Sequence, residues 1–243
     1  MAGSGSHLAV FAPVGGAGRV EAVVRRLADA IALGLLADGE QLPSEAELAA
    51  RLGVSTVTLR EALMALRQRG LVETRRGRGG GSFVRTPEEP PELGRRLRAF
   101  AADELRDLGD HYAAIAGAAA RLAALRALPG DLAPLWRTLD DLAAAHSPAA
   151  LRRLDGRFHV EVAAASRSAR LTQEEIRLQA DIGPLLWLPC DEPGGHDVAT
   201  AQHRAIAGAV ADGDPDKARD LAERHVLDAV ERLVELRLRL SGP

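Results

Sequence analysis

Cysteine is almost missing from this 243-residue chain, and lysine and aromatic residues are nearly as scarce. Cys190 is the only cysteine, so no disulfide can form within the chain and a reducing, cytoplasmic setting is expected. Aromatic residues make up 3% of the chain, while apolar residues as a whole reach 47%. A core built from alanine and leucine suits close-packed helices better than a sandwich of β-branched strands. No stretch approaches the roughly 18 strongly apolar residues of a membrane span, so no membrane association is expected. The opening residues, MAGSGSHLAVFAPVGGAG, have no basic region ahead of an apolar one, so no secretory leader is expected. Residues 1–18 read as a mobile tail.

Charge is present but unevenly placed. The formal net charge is −3. Residues 19–86 carry +3, and the chain beyond them carries −6. Arg67, Arg69, Arg75, Arg76, Arg78 and Arg85 stand against Glu73 alone between 67 and 85. A basic stripe on an acidic chain is the footprint of a nucleic-acid contact, although chance clustering on a solvated face gives the same count.

Helical periodicity runs over 19–36, with Val20, Val23, Val24, Leu27, Ile31 and Leu35 on one stripe. Asp38-Gly39 breaks it. Ser44-x-x-Glu47 is a capping box and predicts a helix to about Arg51. Gly53 ends that helix, Ser55 caps the next over 56–69, and Gly70 closes it. Leu71–Thr74 and Ser82–Arg85 alternate like strands around the tip Arg75-Arg76-Gly77-Arg78-Gly79-Gly80-Gly81. The acidic, proline-rich residues 87–92 read as a linker. From 93 to 240 only helical periodicity appears. It is punctuated at Pro129-Gly130, Ser147-Pro148, Pro189, Pro193-Gly194-Gly195 and Gly213-Asp214-Pro215. The expected fold is mainly α: an N-terminal winged helix-turn-helix of three helices plus a hairpin wing, then an all-α bundle of six to seven helices.

A helix-turn-helix aims the N-terminus of its second helix into the major groove. Ser44 opens the first helix of the pair. Ser55, Thr56, Thr58 and Arg60 lie at the start of the second, where hydroxyls and main-chain amides suit phosphate and arginine suits guanine or phosphate. In the wing, Arg75, Arg76 and Arg78 supply charge, and Gly79 lets the backbone approach. The runs Leu42-Pro43-Ser44-Glu45-Ala46-Glu47-Leu48-Ala49, Leu52-Gly53-Val54-Ser55, Leu59-Arg60-Glu61-Ala62-Leu63, Gly70-Leu71-Val72 and Gly77-Arg78-Gly79 together resemble the GntR family. Ala46 and Thr56 stand where many of its members carry arginine, so relatives' operators do not transfer.

The helical half resembles the FadR-like branch of that family, whose C-terminal domain binds effectors and dimerises. Asp155 and His159 are i, i+4 on one helix face, and His203 and His225 fall on later helices. Spacing alone does not bring them together. The resemblance implies that they converge on a divalent transition metal, with zinc ahead of nickel or manganese. It also implies a carboxylate effector at the metal. His111 stands where an effector-facing arginine is common, which leaves His111, Arg121 and Arg157 as candidate effector contacts. His146 and His196 read as surface residues, and Trp136 and Trp187 as core. A homodimer on a palindromic double-stranded operator is expected, because one small recognition helix reads few base pairs. The function expected is a transcription regulator, a repressor by family habit, and not an enzyme. Three alternatives stay open: a structural ion, a metal that is itself the signal, and a metal-dependent hydrolase fused to a DNA-binding module.

Overall fold

A computed structural model describes residues 5–14, 18–86, 93–191 and 195–240. The chain divides into two compact units, Met1–Glu89 and Pro90–Pro243. The expected linker at 87–92 and the turn at 193–194 lie outside the described residues.

The first unit holds α1 (Gly5–Val10), α2 (Arg19–Ala32), α3 (Glu45–Leu52), α4 (Thr56–Gln68) and the hairpin β1 (Val72–Arg75) and β2 (Gly81–Val84). Ser44 caps α3 by accepting from the Glu47 amide, and Ser55 caps α4 by accepting from the Thr58 amide at 3.1 Å. Glu47 does not return the bond as a full capping box requires; its carboxylate meets Arg51 instead. Leu27, Ile31, Leu36, Leu48, Leu52, Leu59, Leu63, Leu66 and Val84 are fully buried and form the core. The strands are antiparallel with Val72 opposite Val84 and Arg75 opposite Gly81. Each strand begins one residue away from its expected start. Residues 40–42 add a short third edge, with Leu42 donating to Ser82 and Val84 donating to Glu40. At the wing tip Gly77 and Gly79 take φ of 94° and 84°, backbone that side chains disfavour.

Two expectations in this unit need correction. α2 ends at Ala32, well before Asp38. Leu33, Leu35 and Leu36 stay buried in the turn that follows, so the apolar pattern outlasts the helix. Residues 5–14, part of the expected mobile tail, are packed: Val10, Phe11 and Val14 are buried. The Val14 amide donates to the Leu52 carbonyl at 2.8 Å, and Arg26 donates to Ala12. An apolar Val-Phe pair next to α2 and α3 gains from leaving water, which overrides the glycine-rich look of the segment.

The second unit comprises α5 (Leu93–Ala99), α6 (Ala102–Arg126), α7 (Pro129–Ala144), α8 (Pro148–Ala165), α9 (Ala169–Asp181), α10 (Gly183–Leu186), a 3₁₀ turn at Leu188–Asp191, α11 (Gly195–Ala211) and α12 (Pro215–Arg239). Six of these helices are long, which matches the mainly helical bundle expected. Pro129, Pro148 and Pro215 open helices rather than merely marking turns, because proline lacks only an amide that the first turn leaves unbonded. Asp131, Ser147 and Asp214 bond the main-chain amides at those starts. Trp136 is 41% exposed on α7, contrary to the core role expected for it, whereas Trp187 is buried. α6 and α12 run antiparallel in close contact. A Cβ at Gly109 would lie 2.8 Å from Val230, and one at Gly117 would strike Glu223. These contacts bracket Tyr112 on α6 and His225 on α12.

Gly109→Ala is therefore expected to loosen the bundle. Overpacking costs roughly 1–3 kcal/mol and the better helix propensity of alanine returns about 1, leaving a net loss of about 1 kcal/mol. Chemical denaturation of the full chain measures it; an unchanged midpoint would show that Val230 yields freely.

Candidate functional site

The bundle brings four sequence-predicted residues together. α8 carries Asp155 and His159, α11 carries His203, and α12 carries His225. All four are buried among aliphatic residues. The three imidazoles each place a ligand nitrogen within 4.8 Å of the others. His203 Nε2 and His225 Nε2 are 3.1 Å apart, and Asp155 Oδ1 is 3.3 Å from His203 Nε2. His159 and His225 stack, with ring centroids 5.1 Å apart. Phe158 packs against His203 at 4.5 Å.

Burial sets the protonation of this cluster. It pushes His159 and His203 well below the usual imidazole range, with neighbouring imidazoles adding to the effect. It lowers His225 to about 4, assisted by the Arg232 guanidinium. The carboxyls move the other way: burial, then repulsion from Glu175, raises Asp155 to about 7, and burial raises Glu175 to about 7. Below about pH 7 the Asp155–His203 contact joins a carboxyl group to a neutral imidazole rather than two ions.

The tautomer of His225 can be read from its partners. Asp228 accepts from the Gln202 amide nitrogen at 3.3 Å. This leaves Gln202 Oε1 to accept from His225 Nδ1 at 2.9 Å. Nε2 then presents a lone pair to the cluster. His203 Nδ1 is buried with no hydrogen-bond partner. Three neutral imidazoles gathered beside a carboxyl group, with the His225 lone pair turned inward, are a donor set that suits a divalent transition ion, and the residues present fit such a group. Sequence reading missed Gln202 and Asp228. The signal was there: Gln202 adjoins His203, and Asp228 lies one turn after His225.

Two small cavities touch the cluster. One, of about 20 Å³, is lined by Asp155, His159, His225, Tyr112, Gln179 and Arg232 among others. The second, of about 10 Å³, lies against His159 and Glu175. None of the three candidate effector contacts lines either cavity. His111 is exposed and 3.8 Å from Glu174, Arg121 is half-buried and 3.6 Å from Asp216, and Arg157 is half-buried and 3.7 Å from Glu161. His111 and Arg121 lie away from the cluster on α6, which turns small residues such as Ala116 and Ala119 inward, whereas Arg157 keeps its Nε buried beside the buried Glu161 without lining either cavity. His196, expected at the surface, is half-buried against Trp187.

In the first unit the predicted polar residues share the start of α4 and the wing. Ser55 Oγ and Thr58 Oγ1 are 2.9 Å apart. Thr56 is exposed, and Arg60 is 67% exposed and ion-paired to Glu45 at 2.7 Å. Arg75 is held by Glu73 and lies over the Phe83 ring. Arg76, Arg78 and Gly79 are exposed at the tip. A groove of about 540 Å³ lies between the wing and α3, lined by Gln41, Ser44, Arg67, Thr74, Gly80 and Ser82 among others. Val57, 62% exposed beside Thr56, was not singled out from the sequence.

A hairpin-winged helix-turn-helix joined in one chain to a helical bundle defines a DNA-binding transcription regulator. Residues 19–81 match the family described as bacterial regulatory proteins, gntR family, and residues 107–228 match the FCD domain. The chain belongs to the GntR family, with an N-terminal helix-turn-helix and a C-terminal FCD domain. It is 42% identical to the HTH-type transcriptional regulator RmpR of Mycobacterium gastri over 92% of this chain and 83% of that protein. It is 29% identical to the Glc operon transcriptional activator of Escherichia coli (strain K12) over 90% of each. Among solved structures, that of E. coli McbR/YncC matches 93% of this chain and all of its own, with a TM-score of 0.51 and 18% identity, a likeness of fold. The family is one of regulators rather than enzymes. No helix of the described residues is long and apolar enough to cross a membrane.

The Gln202 relay gives a direct check. In metal-free protein, Gln202→Leu is expected to move His225 away from the Nδ1–H tautomer, visible in imidazole ¹⁵N shifts. Unaltered shifts would remove Gln202 from the role of orienting the ring.

Proposed function

We propose that this chain is an operator-binding repressor whose grip on DNA responds to a small carboxylate effector at a metal centre in the bundle. Asp155, His159, His203 and His225 would hold a divalent ion, zinc by preference for three imidazoles and one carboxylate. Such an ion would supply positive charge for an anionic ligand in a cavity that otherwise offers only Arg232 as a cation. The observation that carries the reading is the convergence of three buried, neutral imidazoles in a domain joined to a DNA-binding unit. The chain's own groups do the rest. Gln202 orients His225, burial keeps the imidazoles unprotonated, and Tyr112 and Gln179 line the same cavity as Asp155, His159 and His225.

On the DNA side, Ser44, Ser55, Thr56, Thr58 and Arg60 would meet one stretch of operator. Arg75, Arg76, Arg78 and Gly79 would follow the adjacent backbone. A two-fold homodimer would place two such units on a palindrome. The exposed Arg60–Glu45 pair is worth little in water, so Arg60 can exchange Glu45 for phosphate or guanine.

Two outcomes are expected. Arg60→Ala should weaken operator binding by ~1–3 kcal/mol in a titration at fixed salt, and equal affinity would take Arg60 out of the interface. Protein purified without added ions should carry about one metal per chain, and His203→Ala should carry far less. The pH dependence has a definite sign. Asp155 keeps its proton up to about pH 7, and an incoming ion must displace it. The imidazoles, already deprotonated there, add nothing between pH 6 and 8. Metal affinity should therefore fall about tenfold from pH 8 to pH 6 in a competition titration. Equal affinities would remove Asp155 from the ligand set.

A further inference from the structure

Glu175 is a buried carboxyl group that the metal-binding reading does not use. It is 1% exposed on α9, one turn before Gln179, which is equally buried. One side of the carboxyl is engaged. Gln179 Nε2 donates to Glu175 Oε1 at 3.2 Å. Gln179 Nε2 contacts the Tyr112 oxygen as well. The bond from Gln179 anchors one oxygen of the carboxyl. Glu175 Oε2 is left buried with no hydrogen-bond partner. Among the described residues no arginine, lysine or histidine forms an ion pair with Glu175.

The surroundings of that oxygen are unusual. Glu175 lines the small cavity behind His159, whose other walls are Ala116, Ala119, Val162, Ile206 and Ala222. The volume, about 10 Å³, is close to the smallest space that admits a water-sized group. Three alanines keep it open, and its polar walls are Glu175 and His159 alone. The same imidazole borders the cavity that holds Asp155 and His225. A buried acceptor without a donor is unfavourable, so this oxygen calls for a hydroxyl, an ammonium or a water. A second carboxylate placed there would bring two acceptors and two negative charges together in an aliphatic setting.

We propose that Glu175, held by Gln179, is a specificity-determining subsite: it accepts a hydrogen bond from a hydroxyl or ammonium group of a short-chain acid and rejects an acid with a second carboxylate. This rests on the reading of the histidine cluster as the effector site. The acid end is left to the cluster, and selection is made by what the other end donates.

The test uses zinc-loaded full-length protein at pH 8 and four three-carbon acids: propionate, 2-hydroxypropionate, 2-aminopropionate and malonate. Calorimetric titration should show 2-hydroxypropionate or 2-aminopropionate binding about tenfold tighter than propionate, with malonate weakest. Glu175→Gln turns the orphan acceptor into a donor of the same shape. It should shrink the advantage over malonate about tenfold or reverse it, with zinc content unchanged. Malonate binding the wild type as tightly as 2-hydroxypropionate would overturn the subsite, and this comparison needs no variant to fold. A selectivity ratio unmoved by Glu175→Gln would overturn it as well. If all four acids bind alike, the subsite falls while the effector site stands. If none binds at full zinc occupancy, the effector reading falls and takes the subsite with it.

Discussion

Removing polar groups from water is the constraint on which the helical domain depends. Three imidazoles and the carboxyl groups of Asp155 and Glu175 sit in a core made largely of alanine, leucine, valine and isoleucine. Each ion buried there would cost several kcal/mol, so the groups shed their charge instead. The imidazoles stay neutral and the carboxyls hold protons up to about pH 7. The same desolvation readies the cluster for a cation, because a neutral imidazole has the lone pair that coordination needs. Packing makes this possible. Glycines on α6 let α12 approach until Tyr112 and His225 share one cavity wall. A bulkier seam would hold the helices apart and admit water between them.

Much of the fold was legible because it rests on local chemistry. Ser44, Ser55, Ser147 and Asp214 cap helices, Gly53 and Gly70 end them at positive φ, and glycines at 77 and 79 mark the wing tip. The metal candidates were legible as residue types, and Asp155-x-x-x-His159 as a shared face. Their meeting was not, because it depends on how α8, α11 and α12 cross. The three effector candidates were chosen as charges near the right helices. Helix rotation, which sequence does not give, turned His111 and Arg121 away from the cluster and set Arg157 against Glu161 instead. Tyr112, Gln179 and Glu175 escaped notice for the opposite reason. Each reads as an ordinary helix residue until burial isolates it. α1 was misjudged because glycine and alanine hid the few apolar contacts that hold it.

The start of α4 shows how much the helix's own stability limits what it can offer DNA. Ser55 Oγ already accepts from the Thr58 amide and shares a hydrogen bond with Thr58 Oγ1. Two hydroxyls carry two protons. One is consumed between them, so the pair retains a single proton to donate outward, and phosphate oxygens are the acceptors that such a lone donor suits. Ser44 is committed in the same way to the Glu47 amide. Capping therefore leaves Thr56, Val57 and Arg60 as the side chains free to meet base edges. An exposed valine at this place favours a thymine methyl over any polar edge, while Thr56 and Ala46 supply none of the bidentate guanine contacts that arginine would. With fewer arginines on the recognition helix, more of the attraction in the proposed interface would fall to the exposed Arg76 and Arg78 of the wing. Their charge follows the backbone without regard to sequence. On the proposed interface, affinity and specificity would thus be divided between wing and helix.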